Sequence, residues 1–425
     1  MPRSIPLGRA WLLGLLVSAV YVLAQLTAGT SWTLFPDSYR YARAAEESLG
    51  ADRDEAHRIA LSAFCASRAA EAARHEKLDP LAAEDRPDAT AAKSEAACLE
   101  RWSDAPDITT GDSRYQSIFS SRPGYPLLAA PFVGALGVLD GMRALGLLLA
   151  VGGSLTVCGL LRGAGLSTAA AVAGQIAFLV SPLGWWSLQA LSEGLVTVCA
   201  LGAVWGGVLM ARDGRAAGAA LFVGSLAVCT VTRYSTALVL AALIAAAASV
   251  SWLLRRSRAD LLLAGVATGC AAAVALTMNL LGLPSSEVTL QDTFTRHFRA
   301  PEVPDPWARL VDLDLTYWSH WIGEQAAMPF FLVATVLALW VLLRRGGVLG
   351  PLACAMMLTG AAQIAAHPLV QEADRLGVLM WIPVTLGIAL ITEAVRDFPS
   401  LPFDRTVRVP ASTVEPYRAN TTDPR

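Results

Sequence analysis

An all-α polytopic membrane protein is predicted by three features of this chain: its apolar content, the recurrence of apolar runs of membrane-crossing length, and the placing of its arginines. Of 425 residues, 54% are hydrophobic and 16% charged, and the mean hydropathy is +0.48. Ordinary soluble domains carry about 25% charged residues. The runs each approach the ~20 residues that cross a hydrocarbon core as helix. A net charge of -2 without a basic tract gives nucleic acid no electrostatic footing.

About ten spans are expected: 10–28, 143–161, 167–183, 193–210, 216–231, 235–254, 261–281, 327–343, 348–366 and 376–395. Arg3 and Arg9 precede the first. Arg162, Arg212 with Arg215, Arg255 with Arg256 and Arg258, Arg344 with Arg345, and Arg396 then fall at alternate boundaries. An even number of spans with every basic cluster on one side predicts cytoplasmic termini and a cell-membrane location. The long loops then face outward; their own arginines do not oppose this, because long loops translocate largely regardless of charge. Residues 11–28 also fit a cleaved signal peptide, but the run is long for its apolar core, and a retained span is the reading adopted.

The first large loop, 30–125, is expected to be structured. Asp52 and Glu55 fit an N-cap and capping box ahead of a helix over 56–77, and a second helix is expected over 89–102. The segment 125–139, with Pro126 and Pro131, is too broken for a straight span and is expected to lie along the interface. The second loop, 282–326, ends in Tyr317-Trp318-Ser319-His320-Trp321, a group suited to the headgroup level. The membrane domain covers 1–395, and the polar, proline-containing tail 396–425 is expected to be cytoplasmic and mostly disordered.

Seven cysteines are present. Cys158, Cys199, Cys229, Cys270 and Cys354 lie in apolar spans, where cysteine behaves as a small hydrophobe. Cys65 and Cys98 are the two in a loop, the expected disulfide pair if that loop meets an oxidising compartment. No cysteine spacing suits zinc.

Chemistry-bearing residues gather at the outer boundaries. Asp37, in Phe35-Pro36-Asp37-Ser38-Tyr39-Arg40-Tyr41, reads as a proton acceptor or metal-binding carboxylate, or as an ordinary helix N-cap. Glu193 opens a span beside Trp185 and Trp186 and reads as an acceptor-orienting acid or as a solvated turn residue. Arg233 interrupts an apolar stretch, where arginine is costly unless it snorkels or pairs with an anion such as a lipid phosphate. Arg375 reads as a phosphate ligand or as a local ion pair with Glu372 and Asp374; His367 reads as a proton carrier or an interfacial residue. Asp292, Arg296, His297 and Arg299 read as a solvated helix face.

Taken in order, several of these segments resemble the C-type (GT-C) integral-membrane glycosyltransferases. They are the Asp37 segment after the first span, Arg122-Pro123-Gly124-Tyr125-Pro126 where the loop returns to the membrane, and Leu191-Ser192-Glu193-Gly194 at a short external turn. Thr232-Arg233-Tyr234 opens the sixth span, and Gln371-Glu372-Ala373-Asp374-Arg375-Leu376 precedes the last, although the family often has Tyr where Leu376 stands. The resemblance implies transfer of a sugar from a polyprenyl-phosphate donor to an external acceptor. Asp37 and Glu193 would be catalytic, and Asp37 would also bind a divalent cation, Mg or Mn. Tyr39, Arg122, Tyr125, Arg233, His367 and Arg375 would bind substrate. Two other classes fit the sequence: a noncatalytic relative acting in envelope assembly, and a transporter or flippase of lipid-linked substrates.

Overall fold

Helix is the only regular structure among the described residues 7–27, 32–82, 86–213 and 216–397 of the computed structural model. Arg3, Arg215 and the tail beyond Asp397 lie outside them. Helix α1 (Leu7–Thr27) presents Leu12, Leu15, Leu16 and Leu23 outward, each more than half exposed. A stripe of that kind suits a lipid surface rather than water. Its polar ties to the bundle are few. The Gln175 amide donates to the Gly14 carbonyl (2.8 Å) and the Ser18 hydroxyl (3.1 Å), and Arg143 donates to the Gln25 carbonyl (3.0 Å).

Four helices form the first loop: α2 (Pro36–Ser48), α3 (Arg53–Lys77), α4 (Arg86–Trp102) and α5 (Ser113–Ser120). The expected cap is present, with Asp52 accepting from the Asp54 and Glu55 amides at 3.1 and 2.8 Å. Cys65 of α3 and Cys98 of α4 are joined, their Cα atoms 5.6 Å apart, within the usual disulfide range. Asp107 closes the loop over α2. It accepts from Arg40 (3.0 Å), Arg43 (3.2 Å), Gln116 (3.2 Å) and the Thr109 amide (2.8 Å), and its side chain is fully buried.

The membrane part follows: α6 (Gly124–Gly163), α7 (Thr168–Val180), α8 (Pro182–Leu188), α9 (Glu193–Asp213), α10 (Ala216–Arg255) and α11 (Arg258–Leu280). After the second loop come α14 (Phe330–Arg345), α15 (Leu349–Ala365), the short α16 (Ala373–Leu376), a 3-10 turn at Gly377–Trp381 and α17 (Ile382–Asp397). Among the described residues, by length and apolarity six helices can cross a membrane, or up to eight if each of two bent pairs counts as one span. The polytopic class stands; the number ten is not reached by that measure. Helix α6 breaks at Gly137 (φ 77°), a left-handed conformation that glycine adopts without steric cost. The break falls inside the stretch expected to be irregular.

Helix α10 has 40 residues, about 60 Å if straight and twice the hydrocarbon thickness. It is broken at Arg233 (φ -154°, ψ 83°), and its arms run back toward the same end. On the first arm, the Gly218 and Phe222 backbone packs against Gly206 of α9. On the second, Arg255 donates to the Gly347 carbonyl (3.2 Å). Gly207 of α9 faces Leu352 and Leu263, which places both arm ends at one level. The basic residues collect there. Arg162 and Arg212 bond the Leu166 and Gly163 carbonyls, and Glu393 accepts from the Ser167 amide (2.8 Å), one turn from Arg396. The opposite end carries α2, the α8–α9 turn, the Arg233 break and the 366–377 segment.

The second loop is helical as well, with α12 (Ser286–Phe294) and α13 (Pro306–Ala327). Helix α13 meets α14 at 92°. Rings of Tyr317, Trp318, Trp321, Phe331 and Trp381 contact one another in series across that corner.

Candidate functional site

Helix α2 begins one residue before Asp37, with Phe35 as its N-cap and Pro36 in the first turn. The Phe35 amide donates to the Ser38 hydroxyl (3.0 Å). Asp37 is therefore not the cap. Its carboxylate turns away from its own helix and accepts from Arg375 at 2.8 Å, with Arg40 at 3.7 Å on the other oxygen.

Arg375 is the centre of the constellation. Besides Asp37 it donates to Glu372 (2.9 Å), and its Nε lies 3.3 Å from Glu193 Oε1, within ion-pair distance but off the angle of a hydrogen bond. Glu193 Oε1 also accepts from Arg233 (2.8 Å). Four elements thus deliver Asp37, Glu193, Arg233 and Arg375 to one place. The local ion pair with Glu372 exists, but as one arm of a larger cluster; Asp374 faces a different hollow with Trp321 and Trp381. Glu193 is 2% exposed, so it is not a solvated turn residue.

The approach of the loop to this cluster is enforced by Gly124: a Cβ there would lie 2.5 Å from the Thr232 hydroxyl and 3.0 Å from its amide nitrogen. Any larger residue would push α6 away from the Arg233 break. The break itself exposes Arg233 to its partner, since a continuous helix would carry that side chain along the bundle face.

A cavity of about 190 Å³ opens over the cluster. Asp37, Arg122, Arg233, His367 and Arg375 line it, together with Asp292 and His297 from the second loop. His367 is fixed by Thr293 at 2.7 Å and sits 3.6 Å from Glu372. Burial holds its imidazole below the usual value against the pull of Glu372. Burial also pushes Asp37 upward, but the Arg375, Arg40 and Arg233 charges outweigh it and hold the carboxyl below its ordinary value. Asp37 is thus kept ionised at neutral pH.

Two residues expected to bind substrate are not brought to the cavity. Tyr39 lies on the opposite face of α2, fully buried, with its hydroxyl 2.6 Å from His57 Nδ1 and its ring near Phe64. Residues two positions apart on a helix point about 200° apart, so Asp37 and Tyr39 cannot share a face. Tyr125 is fully buried against Tyr41, ring centroids 5.0 Å apart. Tyr41 reaches the Glu193 turn instead, its hydroxyl donating to Ser192 (3.2 Å).

Among the described residues no group of three or more His, Cys, Asp or Glu side chains is arranged to hold a metal ion. The donor set does not fit a divalent cation at Asp37: the three carboxylates that converge, Asp37, Glu193 and Glu372, already surround the Arg375 guanidinium. What the site offers is a set of paired guanidinium and carboxylate groups with spare hydrogen-bonding capacity. Glu193 Oε2, Arg233 Nε and Arg122 Nε are buried without a hydrogen-bond partner, and such groups cost about 1–3 kcal/mol each when left unsatisfied.

The second loop's contribution was not legible in the sequence. Arg296, His297 and Phe298 are three successive non-glycine residues at φ 53°, 63° and 59°, each costing about 1–2 kcal/mol. Asp292 is buried and accepts from, or shares a proton with, His297 Nδ1 at 3.0 Å. Of the solvated helix face expected there, Arg296 and Arg299 are exposed, but Asp292 is buried in α12 and residues 296–298 form a left-handed turn that brings His297 to the cavity. No protein-family model, curated protein or solved structure matches this chain.

Proposed function

We propose that this protein is an integral-membrane glycosyltransferase that takes its sugar from a polyprenyl-phosphate donor, as the resemblance to the GT-C enzymes implies. The observation that carries the reading is the convergence of Asp37, Glu193, Arg233 and Arg375 beneath one cavity at one end of the bundle. Arg375, Arg233 and Arg122 suit phosphate oxygens through their planar forks. Asp37 is the carboxylate an acceptor hydroxyl would meet as it attacks the anomeric carbon. Glu193 holds both cluster arginines in position. With α15 and the second arm of α10 added to the eight candidate spans the count would be ten, and the positive-inside rule would then have the basic clusters cytoplasmic and the cavity outside.

A transporter of lipid-linked substrates is the competing reading. It would place charge and broken helices near the midplane, whereas the Asp37–Arg375 cluster here sits at one end of the bundle and the basic clusters at the other. The reaction itself separates the two. Purified protein in detergent, given a panel of polyprenyl-phosphate sugars and acceptors, should release free polyprenyl phosphate in step with glycosylated acceptor. Donor bound or moved across a bilayer with its sugar–phosphate bond intact would replace the enzyme by the transporter.

A further inference from the structure

The cavity has a second wall with chemistry of its own. His297 lines it from the left-handed turn after α12, facing Asp37, Arg122 and Arg375. Nδ1 of His297 is bound to Asp292 at 3.0 Å, which leaves Nε2 for the cavity. A carboxylate on one ring nitrogen fixes the tautomer, aims the other nitrogen and steadies the imidazolium. The turn that carries this pair is over-determined. The Gln291 side chain bonds both the carbonyl and the amide of Val303, at 2.7 and 3.0 Å. Thr295 accepts from the Phe298 amide (2.8 Å), and the His297 amide donates to the Asp292 carbonyl (2.9 Å). From α5, Tyr115 packs on the imidazole at 4.8 Å and Arg114 covers the Phe298 ring at 4.1 Å while pairing with Glu302. Successive residues held in left-handed conformation by their surroundings are a mark of functional sites.

We propose that His297, oriented by Asp292, is the catalytic acid that protonates the leaving phosphate, a role resting on the glycosyl-transfer reading. The acceptor oxygen forms its bond to the anomeric carbon and its proton passes to Asp37. The bond from that carbon to the phosphate oxygen breaks, its electron pair stays on the oxygen, and the proton on His297 Nε2 transfers there. Return of a proton from Asp37 to His297 through solvent restores both groups.

Two measurements test the assignment. In the transfer assay, His297→Ala should lose about 10²–10⁴-fold in turnover, and imidazole added to the buffer should restore part of it. His297→Asn, which tolerates the left-handed backbone, should show a similar loss at unchanged donor affinity. Wild-type turnover in these variants, or a loss that imidazole leaves untouched and weaker donor binding accounts for, overturns the role. Independently of turnover, histidine nitrogen NMR of the full chain in micelles should show the His297 Nε2 resonance shifting when farnesyl phosphate binds, with phosphorus NMR reporting occupancy. Occupancy without movement at His297 overturns the inference and leaves the glycosyl-transfer reading intact. No occupancy, together with no turnover of any donor by the wild type, removes that reading and the inference with it.

Discussion

Two arginine–carboxylate clusters meet at helix α2, and they are built to different ends. In the outer one the carboxylate is satisfied: Asp107 has both oxygens occupied by Arg40, Arg43, Gln116 and a backbone amide, although Arg40 Nε is left without a partner. Arg40 also donates to Thr109 and lies over the Tyr115 and Phe119 rings at 4.8 and 4.6 Å. The inner one is open. Asp37, Glu193, Glu372, Arg233 and Arg375 share their bonds under a cavity and leave buried polar atoms without partners. Arg40 belongs to both, bonded to Asp107 and 3.7 Å from Asp37. A carboxylate satisfied on both oxygens locks a loop to a helix; a cluster with several unpaired buried atoms facing a cavity has capacity left for other partners.

The sharpest way to break this contrast is to open the closed cluster. Asp107→Ala leaves two largely buried guanidiniums without their carboxylate and should cost about 3–5 kcal/mol, read as a lower midpoint in thermal or denaturant unfolding. A variant of unchanged stability would mean the loop is held by its helices alone. Removing the disulfide acts on the same region through a different route. Cys65→Ser should cost about 2–4 kcal/mol, and reduction of the wild type should lower its midpoint similarly.

Between the clusters, Arg375→Lys keeps the charge but loses the fork that reaches Asp37, Glu193 and Glu372 together. It should weaken prenyl phosphate binding about tenfold or more while changing unfolding little; the reverse pattern would make Arg375 a structural residue. On the outer face, Tyr39→Phe removes one buried hydrogen bond to His57. It should cost about 0.5–1.5 kcal/mol and leave turnover unchanged, and a lost activity would return Tyr39 to the site.

The smallest effect is in pH. The Asp37 carboxyl is held below its ordinary value by Arg375, Arg40 and Arg233 against burial. Its contribution to stability is therefore complete above about pH 4 and fades as pH falls through the folded value. Asp37→Asn should flatten that acid limb in a stability-versus-pH series, and an unchanged limb would detach Asp37 from its arginines.

Much of this was legible from residue order. Apolar runs and arginine spacing gave the helical membrane class, and acids and arginines at the predicted outer boundaries gave the four cluster members. Their convergence depends on geometry that no local pattern carries, because the residues are up to 338 positions apart. The Tyr39 placement was readable and missed: in a helix, Arg40 and Tyr41 are the neighbours three and four residues on from Asp37, and Tyr39 faces away. The left-handed turn at Arg296, His297 and Phe298 had no signal, since without glycine nothing in the residues marks positive φ. The reach of α13 at 92° to α14 was likewise hidden, although its aromatic end marked an interface. Asp107 gave no hint of its role because its partners come from another helix.

The central claim is that the open cluster works on a ligand while the closed one holds the fold, and Asp37→Asn tests it most directly. The change keeps size and hydrogen-bonding capacity and removes the charge. Turnover of a polyprenyl-phosphate sugar by this variant is predicted to fall by about 10²-fold or more, with the variant folded and inserted as the wild type is. Transfer at near wild-type speed would contradict the account.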